Sequence, residues 1–195
     1  MPDADLRARI VAGAADAFRD GDFHAVGPDD VARAADVPVA DVHRVFPSWE
    51  LLVVAVVDRW AKAGREALRG VAEQEGAVAY LRARLDRGQH HPAIVRVRIA
   101  LLSATSTPGH PASGWFRQQY TTLFEDVTLA LVRDVVAGRE PRGAAPRHAA
   151  EQLVALFEGL QLQAMLRDDA DLLPGWDRAV ARMRAGWGAA AAVTA

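Results

Sequence analysis

Apolar residues recur every three or four positions through most of this chain, which is the spacing of one face of an α-helix. Leu6, Ile10, Ala14 and Phe18 form the first such stripe, which ends at Gly21. Breaks rich in glycine and proline separate the stretches that follow. The first predicted helix ends at Gly21, a second begins at Gly27-Pro28, and a third, short helix follows the second. Six more are predicted over Ser48–Gly70, Val78–Arg87, Ala93–Ala104, Trp115–Ala137, Arg147–Arg167 and Gly175–Trp187. No segment alternates with the period of a β-strand, so the pattern predicts an all-α protein with about nine helices.

Two short helices joined by a tight turn, and then a long helix, are predicted by the segment GDFHAVGPDDVARAADVPVADVHRVFPSWELL. Ala32 and Ala35 share one face of the first short helix, and Val42 and Phe46 form an apolar pair on the second. Small residues let a second helix cross close by, as a helix-turn-helix requires. Ser48 can cap the long helix with its hydroxyl group. The segment therefore predicts a helix-turn-helix followed by a capped helix.

This segment resembles the DNA-binding head of the TetR family of bacterial transcriptional regulators. Later stretches, ALVRDVVAG, AAEQLVALFEGLQLQAML and the acidic loop DDADLL, are similar to a C-terminal half of the betaine-regulator type in the same family. The resemblance implies an all-α homodimer with a three-helix helix-turn-helix head at residues 1–47 and a ligand-binding and dimerisation body at residues 48–195. It also implies a function: a ligand-responsive regulator, expected to be a repressor, that binds double-stranded operator DNA.

The resemblance further implies which residues meet DNA. In the family, threonine is common at the position of Asp41, a phosphate-contacting tyrosine at that of His43 and a phosphate-binding lysine at that of Trp49. Aspartate can accept a hydrogen bond from cytosine in the major groove, whereas phosphates repel it. The expected DNA-binding residues are Arg7, Arg33, Val39, Ala40, Asp41, His43, Arg44, Ser48 and Trp49.

The charge of the head argues against tight binding to a polyanion. Residues 1–60 contain eleven acidic and six basic residues, a net charge of −5. DNA affinity depends strongly on basic side chains that displace counterions from the phosphates. Only local clustering of Arg7, Arg33 and Arg44 would offset this charge. The alternative function is therefore a small-molecule-binding dimer of the same fold with weak or lost DNA binding.

Aromatic and amide side chains in the second half predict a ligand pocket. Its predicted lining is Trp60, Tyr80, Trp115, Phe116, Gln119, Tyr120, Phe124, Phe157 and Gln161. An apolar cavity with a few polar anchors suits a small, mostly apolar effector. The alternative is that many of these aromatic residues simply fill the core, since Phe116 and Tyr120 keep the spacing of a core stripe.

The last two predicted helices carry apolar stripes at heptad-like spacing. The residues in these stripes are Leu153, Leu156, Phe157, Leu160, Trp176, Val180, Met183 and Trp187. We expect them to form an intermolecular four-helix bundle that holds a homodimer together. The alternative is that both stripes pack against the body of their own chain.

Several other kinds of function and location have no support in the sequence. The chain has no cysteine, so it offers no disulfide or thiolate ligand. His90 and His91 are adjacent and lack a partner three or four residues away, so no metal site is expected. No serine lies in a nucleophile motif and no phosphate loop is present, so neither an enzyme nor a cofactor is expected. The charged N-terminus and the short apolar run at Leu51–Val57 predict a cytoplasmic protein with no membrane partner.

Overall fold

The computed structural model describes residues 3–20, 23–107 and 109–193, and every regular element in these ranges is an α-helix. The all-α class predicted from the sequence is confirmed. The ten helices are α1 (Asp3–Asp20), α2 (Pro28–Ala35), α3 (Val39–Val45), α4 (Trp49–Ala67), α5 (Arg69–Gln74), α6 (Ala77–Gln89), α7 (Pro92–Ala104), α8 (Ser113–Val136), α9 (Pro146–Leu166) and α10 (Leu172–Val193).

The helix predicted from Ser48 to Gly70 is in fact two helices, which accounts for the tenth element. Helix α4 ends at Ala67, Leu68 adopts φ −106° and ψ 7°, and α5 begins at Arg69. Gly70 lies just after the break and has a low intrinsic preference for helix. Leu68 and Ala72 nevertheless both pack against the same apolar cluster. The apolar spacing therefore continues across the break and predicts one helix.

The chain divides into two compact units. Residues 1–63 and 91–117 form the N-terminal unit, and residues 64–90 and 118–195 form the C-terminal unit. Each unit has its own cluster of buried apolar side chains. The predicted head, residues 1–47, lies within the N-terminal unit. That unit also contains the first part of α4 and all of α7, and the predicted boundary after residue 47 remains a prediction.

In the N-terminal unit, α1 and α2 approach closely because Gly13 has no side chain. A Cβ atom at Gly13 would lie 2.6 Å from Cβ of Ala35, which is closer than two such atoms can approach. Three residues of the predicted stripe on α1 are fully buried in this unit: Ile10, Ala14 and Phe18. The glycine therefore lets the last turn of α2 rest directly on the middle of α1.

The turn between α2 and α3 is held by an arginine from α1. Asp36 has φ 52° and ψ 54°, a left-handed conformation that aspartate tolerates better than most residues other than glycine. The guanidinium of Arg9 donates hydrogen bonds to the carbonyl oxygens of Ala35, at 2.9 Å, and of Asp36, at 2.7 Å. The last carbonyl groups of α2 thus gain a donor that helix geometry alone does not supply. Arg9 consequently fixes how the chain leaves α2 and enters α3.

In the C-terminal unit, α6, α9 and α10 pack around a fully buried Trp176. The buried carboxylate of Asp134 accepts hydrogen bonds from the backbone N–H of Ala77, at 2.7 Å, and from Nε of Arg139, at 2.9 Å. Gly76 has φ +92°, and a Cβ atom there would collide with this carboxylate. Asp134 on α8 therefore satisfies one of the unpaired N–H groups at the start of α6.

Candidate nucleic-acid interface

Helices α2 and α3 are short and are joined by residues 36–38. The N-terminus of α2 is closed by Asp30, whose carboxylate accepts a hydrogen bond from the N–H of Gly27 at 3.0 Å. That bond, together with one from Arg33, lowers the pKa of Asp30 below its usual value. Helix α3 follows Pro38, which has no side-chain group to cap it. The second short helix is therefore positioned by the turn and by packing.

The outward face of α3 is formed by residues that the family resemblance predicted to bind DNA. Val39, Ala40, His43 and Arg44 are exposed, and Asp41 is half-buried. Val42 and Phe46 are buried in the N-terminal unit, as their spacing predicted. Because the inner face is fixed by packing, the exposed face presents a defined set of side chains to solvent.

Arg44, the charged base on this face, is held by two carboxylates. Its Nε and Nη2 atoms donate to Oδ1 of Asp41 at 3.2 and 2.9 Å, and its Nη1 donates to Oδ1 of Asp3 at 3.1 Å. These hydrogen bonds raise the pKa of Arg44 above its usual value, and the bonds to Asp41 have the largest effect. The positive charge of α3 is therefore largely balanced by acids of the same unit.

The other arginines of the head also have partners. The guanidinium of Arg7 lies 4.3 Å from the centre of the Phe46 ring. Arg33 pairs with Asp30 at 2.9 Å, and Arg19 pairs with Asp16 at 2.8 Å. The three bases Arg7, Arg33 and Arg44 are therefore engaged within the protein instead of forming a free cationic cluster.

The start of α4 has a partly buried tryptophan. The hydroxyl oxygen of Ser48 accepts a hydrogen bond from the N–H of Leu51 at 3.3 Å, which confirms the predicted cap. Trp49 is half-buried and packs edge-on against Phe18, with ring centres 5.8 Å apart. Trp49 thus contributes to the core of the N-terminal unit, so a polar replacement would remove packing as well as change the surface.

The residues predicted to line a ligand pocket fall in both units. The N-terminal unit contains Trp60, Trp115 and Phe116, and the C-terminal unit contains Tyr80, Gln119, Tyr120, Phe124, Phe157 and Gln161. Phe116, Tyr80 and Phe157 are buried in the core clusters of their own units, whereas Tyr120 is 52% exposed. A single pocket lined by all nine residues remains a prediction.

Two of these residues have polar partners within the C-terminal unit. Gln119 accepts a hydrogen bond from Arg65 at 3.0 Å. The buried amide of Gln161 donates to the carbonyl oxygen of Phe157 at 3.2 Å. The indole N–H of the fully buried Trp176, by contrast, has no hydrogen-bond acceptor among the described residues.

The residues of the predicted dimer seam are buried or half-buried in the single chain. Leu153, Phe157, Trp176, Val180 and Trp187 are buried in the core of the C-terminal unit. The three other seam residues, Leu156, Leu160 and Met183, are partly buried and pack against the same cluster. A side chain buried in its own protomer has little surface to offer a partner. Both stripes contact the core of their own chain, and their part in a dimer interface stays a prediction.

A different apolar surface was missed by the sequence reasoning. On α8 and α9 the large aliphatic residues that stay exposed are Leu129, Val132, Val136, Leu162 and Leu166. On α9, Leu162 and Leu166 lie four residues apart and therefore share a face, which continues through Gly159 and the exposed Ala155. The spacing of Ala155, Gly159, Leu162 and Leu166 was the available signal, but the glutamines on either side of Leu162 obscure it.

A family model described as "BetI-type transcriptional repressor, C-terminal" matches residues 73–185, which is more than half of the chain. No curated protein matches the sequence. Within residues 3–20, 23–107 and 109–193, no helix is both long and apolar enough to cross a membrane. The same ranges contain no group of three histidine or acidic side chains placed to hold a metal ion.

Proposed function

Because the chain belongs to the TetR family of transcriptional regulators, we propose that it binds operator DNA as a homodimer and represses transcription until a small effector binds. Helices α2 and α3 serve as the helix-turn-helix, and α3 is the recognition helix. Two half-sites bind two heads only at a defined spacing of the recognition helices. An effector that favours another spacing therefore weakens operator binding.

The exposed face of α3 is the observation that carries DNA binding. Val39, Ala40, His43 and Arg44 project to solvent from a short helix whose other face is buried. Arg44 is the base of this face that stays charged at every physiological pH, and an arginine can read guanine through two hydrogen bonds. We assign Arg44 the main role in base recognition, with Ser48 at the start of α4 beside the phosphates.

Arg44→Ala is expected to weaken operator binding by about 1–3 kcal/mol. The thermal midpoint should hardly change, because the Arg44 side chain is about half exposed and its partners are surface carboxylates. Operator affinity is measured by fluorescence anisotropy on labelled DNA from upstream of the gene itself. Arg19→Ala is the matched control, since it removes another paired arginine about 24 Å farther along α1 from Asp3. Equal losses in both variants would contradict the assignment of Arg44.

The acids around Arg44 are expected to limit DNA affinity. Replacing Asp3 and Asp41 together by asparagine leaves Arg44 with neutral neighbours, so the guanidinium gains a phosphate contact at low cost. The slope of log affinity against log salt on non-specific DNA should then steepen by about 1 unit. Asp16→Asn with Asp29→Asn is the control, because it removes the same charge elsewhere in the head. An unchanged slope in the Asp3 and Asp41 variant would mean that Arg44 does not face the DNA backbone.

The head's charge supports a second candidate, a dimer of this fold that binds a small molecule but has little DNA affinity. Residues 1–60 carry a net charge of −5, and Arg44 is already paired with two acidic residues. Titration of the upstream DNA across a salt series separates the two candidates, with a scrambled duplex of equal length as reference. Specific binding that survives physiological salt supports the regulator, and no preference at any salt supports the ligand-binding dimer.

We place the dimer interface on the exposed apolar face of α9, formed by Ala155, Gly159, Leu162 and Leu166. Their spacing of four, three and four residues is that of a helix packed in a bundle. A second copy of the chain would cover leucines that are 47% and 75% exposed in the single protomer.

Trp176 supports an effector in the C-terminal unit, since a buried donor without an acceptor is unfavourable by about 1–3 kcal/mol. An effector that supplies an acceptor would recover part of that energy.

A further inference from the structure

The N-terminal unit contains a groove that shares one residue, Trp115, with the predicted lining of the ligand pocket. It has a volume of about 810 Å³, within the range typical of small-molecule sites. Its walls come from α1, from the end of α3 and the residues that follow it, from α4, and from Trp115 at the start of α8. Every lining residue belongs to the N-terminal unit. The groove is therefore a property of that unit alone.

The walls of the groove are mainly apolar. Ala4, Ala8 and Val11 line it from α1, and Val54 and Ala55 line it from α4. Leu51 also lines it and is 42% exposed, a large fraction for a leucine in a concave surface. An apolar ligand in the groove would remove this leucine from water, which is favourable in proportion to the area covered.

The polar residues of the groove are three bases and one acid, so its lining carries a net charge of +2 within an otherwise acidic head. Arg59 and Lys62, the only lysine of the chain, are three residues apart on one face of α4. Lys62 pairs with Asp58 at 2.6 Å, and Asp58 also accepts a hydrogen bond from the indole of Trp115 at 3.2 Å. The acid is therefore already balanced inside the groove, and the excess charge is positive.

The arginines of the groove can still bind an anion. Arg7 lies over the ring of Phe46, and Arg59 donates one hydrogen bond to the carbonyl oxygen of Ala8 at 3.3 Å. A guanidinium has five N–H donors in one plane, so each of these contacts leaves donors for a carboxylate. Charge-assisted hydrogen bonds of this kind are about twice as strong as neutral ones.

We propose that this groove is a binding site for a small amphipathic carboxylic acid. The apolar body of the acid lies along the alanine, valine and leucine walls, and its carboxylate is held by Arg59 and Lys62. A neutral ligand of the same shape would lack the charge-assisted contacts, and a cationic one would be repelled by the excess of bases. The chemistry of the lining thus selects the anion.

Three probes of equal chain length test this selection: decanoate, decanol and decyltrimethylammonium. They are titrated below their micelle-forming concentrations against the full-length protein without DNA, with calorimetry as the readout. Decanoate is expected to bind at least tenfold more tightly than either analogue. Equal affinity of decanol and decanoate overturns the proposal, because the bases would then have no role.

The indole signals of the tryptophans locate the bound acid. In a two-dimensional NMR spectrum of ¹⁵N-labelled protein, decanoate should shift the indole N–H of Trp115, which lines the groove and donates to Asp58. Trp176 and Trp187 belong to the C-terminal unit and should not move. Shifts at those two alone would place the acid elsewhere and overturn the proposal.

Two kinds of variant complete the test. Arg59→Gln with Lys62→Gln removes the anchoring charges and should weaken decanoate binding at least tenfold, with decanol unaffected. Arg19→Gln with Arg33→Gln removes the same charge outside the groove and should leave binding unchanged.

Ala8→Phe fills the groove without altering its charge and should abolish decanoate binding. Ala34→Phe, on the exposed side of α2, is its control and should leave binding unchanged. Full decanoate affinity in both groove variants overturns the proposal. Because no DNA is present, its failure is distinct from a failure of the proposed function.

Discussion

Leu162→Glu is expected to convert the dimer into monomers and, as a consequence, to abolish tight operator binding. Leu162 is 47% exposed in the protomer, so the fold tolerates a polar residue there. In a dimer that packs on this face of α9, the glutamate would be buried without a partner, which is unfavourable by several kcal/mol for each copy. A monomer reaches one half-site only, so operator affinity should fall by at least about 100-fold. Sedimentation velocity gives the mass, and anisotropy gives the affinity.

Ala164→Glu is the matched control for this change. It adds the same charge to the same helix, but two residues farther on, which turns the side chain about 200° away from Leu162. Residue 164 is exposed, and this variant should remain a dimer. Val180→Glu gives a second comparison: Val180 is 3% exposed in the core of its own unit, so this variant should unfold that unit instead of releasing intact monomers. A folded Leu162→Glu dimer would place the interface elsewhere.

The contrast between Val180 and Leu162 shows where the sequence was informative and where it was not. Helical periodicity correctly identified apolar faces on the last two helices. It could not tell whether a face would be covered by the same chain or by another, because both cases require the same spacing. The heptad-like seam around Trp176 and Val180 is predicted as the interface, and in the single chain these residues are already buried, so the spacing alone does not decide between the two cases.

The net charge of the head could be predicted from the sequence, but the ion pairs of Arg44 could not. The count of acids and bases predicted an acidic head, and the family resemblance indicated that Arg44 belongs to the exposed face of α3. The partner Asp3 lies 41 positions earlier in the chain. Only the packing of α1 beside α3 brings the two together, so no local pattern could predict that Arg44 is balanced by this acid.

The tight crossing of α1 and α2 also depends on residues that are distant in sequence. Small residues on α2 predicted that a helix would cross closely, and Ala35 is indeed at the contact. Gly13 on α1 was not recognised, since a glycine inside an apolar helical stretch usually only weakens the helix. Arg9, one turn earlier, was also missed as the group that holds the turn at Ala35 and Asp36. Together, Gly13 and Arg9 set where α2 ends and how α3 is presented.

Gly13→Val should therefore disrupt the head more than any change on its surface. A Cβ atom at this position would meet the backbone of Ala35, at 2.6 Å from its N atom and 2.7 Å from its Cα atom. Backbone atoms cannot rotate away as a flexible side chain can, so α2 must move off α1. Overpacking of this kind destabilises by about 3 kcal/mol. Because the Arg9 contacts with the turn depend on the same approach, α3 should lose its orientation and operator binding should disappear, although no residue of α3 has changed.

Gly114→Ala is the control in the same unit, since a Cβ atom at Gly114 has no neighbour within 4 Å. It should leave stability and operator binding nearly unchanged. Hydrogen exchange measures the effect directly: backbone amides of α2 and α3 should lose protection in Gly13→Val, while those of α6 and α9 in the C-terminal unit keep theirs. If Gly13→Val binds operator normally, the close contact between α1 and α2 is not needed to present α3. The recognition helix would then be oriented by its packing through Val42 and Phe46 alone.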